Sequence, residues 1–132
     1  MPLTVLVLDD DHAFRSKFAA RELKEMGYHV LEAGKIAEAR ELLARARPDL
    51  MIADGLLPDG NGVEFIAQIR RQGVALPVIF VSAFWKDRET FERLTALGNV
   101  QVMRKPVRVG DLGKRVESML GPVSVDVDLD FE

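Results

Sequence analysis

Four short apolar runs, each leading to a polar residue, constrain the fold of this chain more than any other feature. The runs lie at 3–8, 50–53, 78–81 and 100–103. Each has the length and mostly apolar or β-branched character of a strand buried on both faces of a parallel sheet. The polar residues just beyond them are Asp9 and Asp10, Asp54, Ser82, and Lys105. Because the carboxyl ends of parallel strands share one crevice, we expect these side chains to meet.

Helical patterns fill the intervals between these runs. Apolar residues recur at spacings of three and four, and Gly27 and Pro48 end two of the patterns. We predict helices over 13–26, 35–47, 63–71, 86–97 and 109–120, a further strand over 28–32, a fourth strand beginning at 77, and a loop over 55–62. Five strands alternating with five helices predict an α/β fold: a flavodoxin-like, doubly wound, five-stranded parallel sheet in the order 2-1-3-4-5.

Composition is typical of a globular domain. The chain has 132 residues, of which 48% are hydrophobic and 30% charged, and it contains no cysteine. A disulfide framework and a thiolate metal site are therefore excluded. No apolar stretch reaches the length of a membrane span, and no signal-peptide pattern precedes the first strand. We expect a cytoplasmic protein without membrane association.

The C-terminal segment differs from the rest of the chain. Residues 121–132 carry four acidic side chains and no basic one, and apolar and polar residues alternate over 123–132. This period is typical of a strand with one acidic face, and a disordered charged end explains it equally well. We expect a domain over 1–120 followed by an acidic tail that is a linker, an edge strand or disordered. The net charge of the chain is −3, and without the four acids of the tail the remainder is close to neutral. No strong basic field is present, so we expect no direct nucleic acid binding.

Asp9, Asp10 and Asp54 together predict a metal site. Three carboxylates at neighbouring strand ends cannot all be ionised unless a cation compensates their charge. Ligands that offer only oxygen favour a hard ion, so we expect Mg²⁺, with Mn²⁺ as the alternative. Helix capping is the competing explanation for these acids, and it suits Asp11 best.

Asp54 also opens a glycine-rich loop, where a carboxylate can be exposed to a phosphoryl donor. Transfer to it would form an aspartyl phosphate, a known nucleophilic use of a carboxylate. The metal, Lys105 and the Ser82 hydroxyl could neutralise the phosphoryl oxygens. Taken alone, Asp54 is equally consistent with an Asx turn and Lys105 with a solvated lysine. Their joint spacing is what indicates chemistry.

With these residues the chain resembles the receiver domain of two-component response regulators, over residues 3–120. The motifs that carry the resemblance are Val7-Leu8-Asp9-Asp10-Asp11 followed by Arg15, the loop 54–62, the segment 76–83, and Arg104-Lys105-Pro106. Each motif is weak alone, and the four in this order are specific. The resemblance implies a signalling domain rather than an enzyme, with self-catalysed phosphotransfer and slow autodephosphorylation as its only chemistry.

The resemblance also implies roles for the acidic residues. Asp54 would be the phosphoacceptor and, with Asp10, a direct ligand of Mg²⁺. Asp9 would act largely through water, and the backbone carbonyl of Leu56 would be a third protein ligand.

Further implications concern the phosphoryl group and the partners. Ser82 and Lys105 would bind the phosphoryl oxygens, and the Lys105–Pro106 bond would be cis. The donor would be a sensor histidine kinase or a phosphotransfer protein, and the phosphorylated form would act on a downstream effector protein or an output domain. The face of helix 4, strand 5 and helix 5 would be the candidate dimer surface.

Three features depart from the family pattern. Val102 stands where an aromatic switch residue is common, and segment 97–100 lacks the usual small Gly-Ala step. Leu56, Phe84 and the adjoining Trp85 place bulky side chains at positions that flank the acyl phosphate in the family. We predict that they slow its hydrolysis. The alternative for the aromatic pair is packing on the fourth helix or a partner interface.

Three other functions fit parts of the sequence. A pseudo-receiver would use the fold as a constitutive binding surface. A haloacid-dehalogenase-type phosphatase would use Asp9 and Asp11 as its nucleophile motif, although Ala13 stands where that motif has Thr or Val. A flavodoxin-like cofactor binder would need backbone amides for a phosphate at the position where these acids would repel it.

Overall fold

In the computed structural model, which describes residues 2–83 and 88–121, five parallel strands form one sheet. The strands are β1 (Thr4–Leu8), β2 (His29–Ala33), β3 (Leu50–Ala53), β4 (Val78–Ser82) and β5 (Val100–Arg104). Their order is β2-β1-β3-β4-β5, and every pairing is parallel. The predicted fold class and strand order are therefore confirmed.

Helices connect the successive strands, and a further helix follows β5. They are α1, which is π-helical over Ala13–Ala20 and α-helical over Arg21–Glu25, then α2 (Ile36–Ala46), α3 (Gly62–Arg71), α4 (Arg88–Ala96) and α5 (Asp111–Leu120). The predicted helices are present, with several of their bounds shifted by one residue. Residues 86 and 87 of the predicted fourth helix lie outside the described residues. Two differences have a physical reason. The first part of α1 has the wider π-helical turn, and α5 begins at 111 instead of 109 because Gly110 adopts a φ of 93°, outside the helical region. Among the helices of the described ranges, none is long and apolar enough to cross a bilayer.

Two boundaries near turns also differ from prediction. The second strand begins at His29 because the N–H of Tyr28 donates back to the carbonyl oxygen of Leu23 in α1, at 3.1 Å. The segment predicted as a loop contains a short antiparallel hairpin between Leu56–Leu57 and Gly60–Asn61. The hairpin gives the backbone after β3 a defined path.

Alternate residues of the central strands face two separate helical layers. Leu6 and Phe80 point to the layer that contains α2, α3 and α4. Val7 and Ile79 point to the layer formed by α1 and α5. Every residue of β3 and β4 is buried, as expected for strands covered on both faces.

The approach to β5 takes a left-handed turn. Gly98 and Asn99 have φ values of 84° and 56°. Arg70 of α3 donates to the carbonyl oxygens of both residues, at 2.9 Å and 3.3 Å. The chain thus reaches β5 without the small Gly-Ala step, by a turn that an arginine holds from the neighbouring helix.

The hairpin fastens the starts of two helices. Asp59 accepts from the N–H groups of Ile36 and Ala37 at 2.8 Å and 3.0 Å, at the beginning of α2. Asn61 accepts from the N–H of Val63 at 2.7 Å, at the beginning of α3. The hydrogen bond from Ile36 is the main cause that holds the pKa of the Asp59 carboxyl below its ordinary value.

We expect Gly62→Ala to destabilise the fold strongly. A Cβ at position 62 would lie 2.0 Å from the carbonyl oxygen of Asp54 and 3.1 Å from Cα of Gly55, both backbone atoms. Relief would require displacing the backbone that follows β3, so we expect the free energy of unfolding to fall by about 3 kcal/mol or more. Urea-induced unfolding measures the change.

Gly73→Ala is the matched control. Gly73 has a φ of 87°, and no atom lies within 4 Å of the Cβ that alanine would add. The free energy of unfolding should fall there only because of strain in the left-handed backbone, by about 1–2 kcal/mol. Equal losses in the two variants would contradict the steric argument at position 62.

Candidate functional site

Strand register brings the predicted site residues to one edge of the sheet. The ladder between β1 and β3 extends one residue past the strands, where the N–H of Asp54 donates to the carbonyl oxygen of Leu8 at 3.0 Å. The ladder between β4 and β5 ends in the same way, with the N–H of Lys105 donating to the carbonyl oxygen of Ser82 at 3.3 Å. The residues that follow the strands therefore share the crevice predicted from the sequence.

Asp9, Asp10 and Asp54 form a carboxylate cluster. One oxygen of each lies within 4.8 Å of the others. Asp9 and Asp54 are 1% and 7% exposed, whereas Asp10 is exposed to solvent. The prediction that these three carboxylates meet is confirmed. Their donor set, oxygen alone with one open side, suits a hard divalent cation that keeps several waters.

The ammonium of Lys105 lies against this cluster. Its Nζ is 2.7 Å from Oδ2 of Asp9 and 3.8 Å from Oδ2 of Asp54. The same nitrogen lies 4.4 Å from the centre of the Phe14 ring. One cation thus partly balances two buried carboxylates, in the position predicted for Lys105.

Burial dominates the electrostatics of Asp9. It raises the pKa of the carboxyl above the ordinary value of 3.8, while hydrogen bonds from Lys105 and from the N–H of Asp11 lower it. The negative charge of Asp54 raises it further. The net effect is a raised pKa, so the ionised carboxylate of Asp9 opposes folding when no added cation is bound.

A glycine lets the backbone after the predicted acceptor pass close to β4. Oδ1 of Asp54 accepts from the N–H of Gly55 at 2.7 Å. A Cβ on Gly55 would lie 2.8 Å from Cζ of Phe80 and 3.3 Å from Oγ of Ser82. The buried Ser82 hydroxyl therefore lies beside the backbone next to Asp54, within the crevice.

The remaining predicted residues have mixed outcomes. The Lys105–Pro106 peptide bond is cis, as predicted. Leu56 lies in the short hairpin with its side chain 52% exposed, and the role of its carbonyl as a metal ligand stays a prediction. Phe84 and Trp85 lie outside the described residues.

Asp11 has the structural role that the sequence favoured for it. Its Oδ1 accepts from the N–H groups of Ala13 and Phe14, at 3.0 Å and 3.3 Å. These bonds satisfy backbone donors at the start of α1. Asp11 is therefore a cap, and the carboxylate cluster consists of the other three acids.

A polar network beside the cluster was not predicted from the sequence. Nη1 of Arg15 donates to the carbonyl oxygen of Asp9 at 2.9 Å, and its Nε pairs with Glu32 at 3.0 Å. The Ser16 hydroxyl also donates to Glu32. Burial raises the pKa of Glu32, but the hydrogen bonds from Ser16 and Arg15 lower it more, and the net pKa is below the ordinary value. The feature of the sequence that could have revealed this network is Glu32, an acidic residue inside a largely apolar strand.

A family model and several curated proteins match most of this chain. A family model described as the response regulator receiver domain matches residues 5–117. Response regulator MprA of Mycobacterium sp. (strain KMS) is 34% identical over 126 residues, which cover 96% of this chain and 54% of that protein. The KDP operon transcriptional regulatory protein KdpE of Escherichia coli (strain K12) is 36% identical over 116 residues, 88% of this chain and 50% of that protein. The chain spans about half the length of these curated relatives.

Solved structures show the same fold. The non-phosphorylated HemR receiver domain from Leptospira biflexa is 28% identical with a TM-score of 0.81, and the match covers 90% of this chain and 94% of that one. Chemotaxis response regulator CheY4 of Vibrio cholerae is 26% identical with a TM-score of 0.80, covering 90% of this chain and 99% of that one.

Asp9→Asn should stabilise the protein at neutral pH in the absence of divalent cations. The folded-state pKa of Asp9 is raised, so its contribution to stability is full below the ordinary value of 3.8 and is lost as the pH rises through the folded-state pKa. Asparagine does not ionise and avoids this loss. Urea unfolding in the presence of a chelator should give a higher midpoint for the variant, and the difference should vanish in acid.

Glu41→Gln is the control for the change in charge. Glu41 is exposed on α2 and its carboxylate lies 3.8 Å from the Arg45 guanidinium, so its replacement should leave the unfolding midpoint nearly unchanged. A wild-type protein as stable as Asp9→Asn at neutral pH would contradict the electrostatic account of Asp9.

Proposed function

The chain belongs to the response regulator receiver domain family, and we propose that it is a phosphorylation-controlled signalling switch whose phosphoacceptor is Asp54. The observation that carries this proposal is the position of Lys105. Its ammonium lies 3.8 Å from Oδ2 of Asp54 and 2.7 Å from Oδ2 of Asp9, at the carboxyl edge of a parallel sheet. A cation at that position can bind an oxygen of a phosphoryl group on Asp54.

Asp10 and Asp54 would hold Mg²⁺, or Mn²⁺ in its place, directly, with the carbonyl of Leu56 as a further ligand and Asp9 acting largely through water. The mutual approach of the three carboxylates within 4.8 Å supports this assignment. When bound, the ion supplies positive charge that offsets the carboxylates and the transferred phosphoryl group. Asp10, being exposed, gives the site its open side to solvent.

The transfer would proceed from a phosphohistidine. An oxygen of Asp54 attacks phosphorus while the bond from phosphorus to the imidazole nitrogen breaks, and that nitrogen takes up a proton. The N–H of Gly55 holds Oδ1 of Asp54 at 2.7 Å and so fixes the orientation of the nucleophile. Lys105 and the Ser82 hydroxyl would bind the oxygens of the group that arrives. Slow loss of the phosphoryl group to water would complete the cycle.

The donor would be a sensor histidine kinase or a phosphotransfer protein, and the phosphorylated form would act on an effector protein or an output domain. The relatives are about twice as long as this chain, and one is named as a transcriptional regulatory protein, which supports an output domain. We propose a receiver domain over 1–120, followed over 121–132 by an acidic tail that is a linker, an edge strand or disordered. A cytoplasmic location and a dimer through α4, β5 and α5 complete the proposal.

Incubation with Mg²⁺ and acetyl phosphate should add one phosphoryl group to the wild type and none to Asp54→Asn. Lys105→Ala should keep the acceptor but lose the cation that binds the phosphoryl oxygen, so its labelling rate should fall by about a hundredfold. Intact-mass spectrometry over time measures both effects.

The other outcomes of that experiment separate the competing functions. A label that survives in Asp54→Asn and disappears in Asp9→Asn would replace the proposal by a haloacid-dehalogenase-type phosphatase. No adduct on a folded wild type would leave a pseudo-receiver that binds partners without phosphorylation.

Asp10→Asn should weaken Mg²⁺ binding by at least about tenfold, because it removes one charged oxygen ligand from the cluster. Isothermal titration calorimetry with the unphosphorylated protein provides the affinity. Asp111→Asn, which changes an exposed aspartate at the start of α5, is the control and should bind Mg²⁺ as the wild type does. Equal affinities for Asp10→Asn and the control would rule out Asp10 as a ligand.

A further inference from the structure

An aromatic ring contacts the cation of the site. The Phe14 ring centre lies 4.4 Å from Nζ of Lys105, which is itself 2.7 Å from Oδ2 of Asp9. Phe14 is partly buried and packs against the layer of α1 and α5. It stands near the start of α1, and neither the metal site nor the phosphoryl chemistry described above uses it.

Lys105 needs a positional constraint that a carboxylate cannot supply alone. A lysine side chain is long and flexible, and its ammonium carries three donors that can rotate between acceptors. At the site it is in contact with Asp9 and lies farther from Asp54, toward which the phosphoryl group arrives. The face of an aromatic ring attracts the cation without accepting a strong hydrogen bond, so the donors remain available to oxygen.

The ring is itself held on several sides. Phe18 stacks on Phe14 with ring centres 5.6 Å apart and planes 26° apart. The N–H of Phe14 donates to Asp11 at 3.3 Å, and the next residue, Arg15, donates to the carbonyl oxygen of Asp9 at 2.9 Å. The backbone N–H of Phe14 and the side chain of the next residue are thus both tied to the segment that carries Asp9.

The local helix type is consistent with this arrangement. Phe14 and Phe18 both lie in the π-helical part of α1, Ala13–Ala20, and π-helical turns occur often at functional sites.

We propose that Phe14 is a positioning residue for phosphoryl transfer, whose ring holds the Lys105 ammonium at the acid cluster by a cation–π interaction. The inference rests on the proposed function of Asp54. Phe14 acts through Lys105 and does not touch the transferred group. Its effect comes from the electron density of the ring face, and apolar volume at position 14 cannot replace it.

The test measures the rate of phosphorylation by acetyl phosphate at saturating Mg²⁺. In this reaction the bond from phosphorus to the acetyl oxygen breaks as the bond to an Asp54 oxygen forms, and acetate leaves. Phe14→Leu should lower the rate by about fivefold. Phe14→Tyr keeps an aromatic face, and its rate should lie within about twofold of the wild-type rate. Phe91→Leu is the control for the change of phenylalanine to leucine, since Phe91 lies on α4 and is 42% exposed, and it should stay near the wild-type rate.

Fluorinated phenylalanines at position 14 separate electrostatics from packing. Added fluorine withdraws electron density from the ring face while nearly preserving its shape, so one, two and five fluorines should lower the rate in steps. Each variant is first shown to unfold at the wild-type urea midpoint. A rate that does not change along the fluorine series overturns the inference, even if Phe14→Leu is slow.

A second readout does not depend on phosphorylation. In the wild type the Hε protons of Lys105 should resonate upfield of those of the other lysines because of the ring current of Phe14, and Phe14→Leu should abolish this shift. If the wild type accepts no phosphoryl group, the proposed function fails, and this shift alone decides whether the ring holds the ammonium. Its absence in a folded wild type overturns the inference.

Discussion

The crowding of carboxylates at one edge of a parallel sheet is the constraint on which the rest of the structure depends. Strand register fixes Asp9 beside Asp54, and burial prevents water from screening their charges. Lys105 supplies one ammonium against these two buried groups. The negative charge that remains makes the ionised cluster unfavourable in the free protein and favourable to a divalent cation. The cation affinity proposed for this site would thus come from an interaction that opposes folding.

The loop after Asp54 is connected by hydrogen bonds to the starts of two helices. The N–H of Gly62 donates to the carbonyl oxygen of Gly55 at 2.8 Å, which closes the loop on itself. The hairpin inside this loop carries Asp59 and Asn61, whose side chains cap α2 and α3. A displacement of the backbone next to Asp54 would therefore reach the starts of both helices, because rigid caps leave the loop little freedom to absorb it.

The sheet and its edge could be predicted because they depend on local patterns. Apolar runs specify strands buried on both faces, and the rules of parallel α/β sheets then fix their order and bring their ends together. The contact of Lys105 with Phe14 joins residues far apart in the chain, and helical periodicity shows only that this ring faces the protein. The pairing of Arg15 with Glu32 and the π-helical start of α1 depend in the same way on tertiary packing, which a single sequence does not display.

The burial of Phe80 limits how a change at the proposed site could reach the rest of the domain. Phe80 of β4 pairs with Val102 of β5, and both side chains pack on the face covered by α2, α3 and α4. At the position of Val102, receiver domains commonly carry an aromatic residue that changes its rotamer. Here that position is valine, and the aromatic ring beside it belongs to Phe80 of β4. Phe80 is 1% exposed and lies against Gly55, so close packing leaves it no solvent-exposed rotamer. Under the proposed function, a change at Asp54 would therefore act through the backbone and the Ser82 end of β4, and not through rotation of this ring.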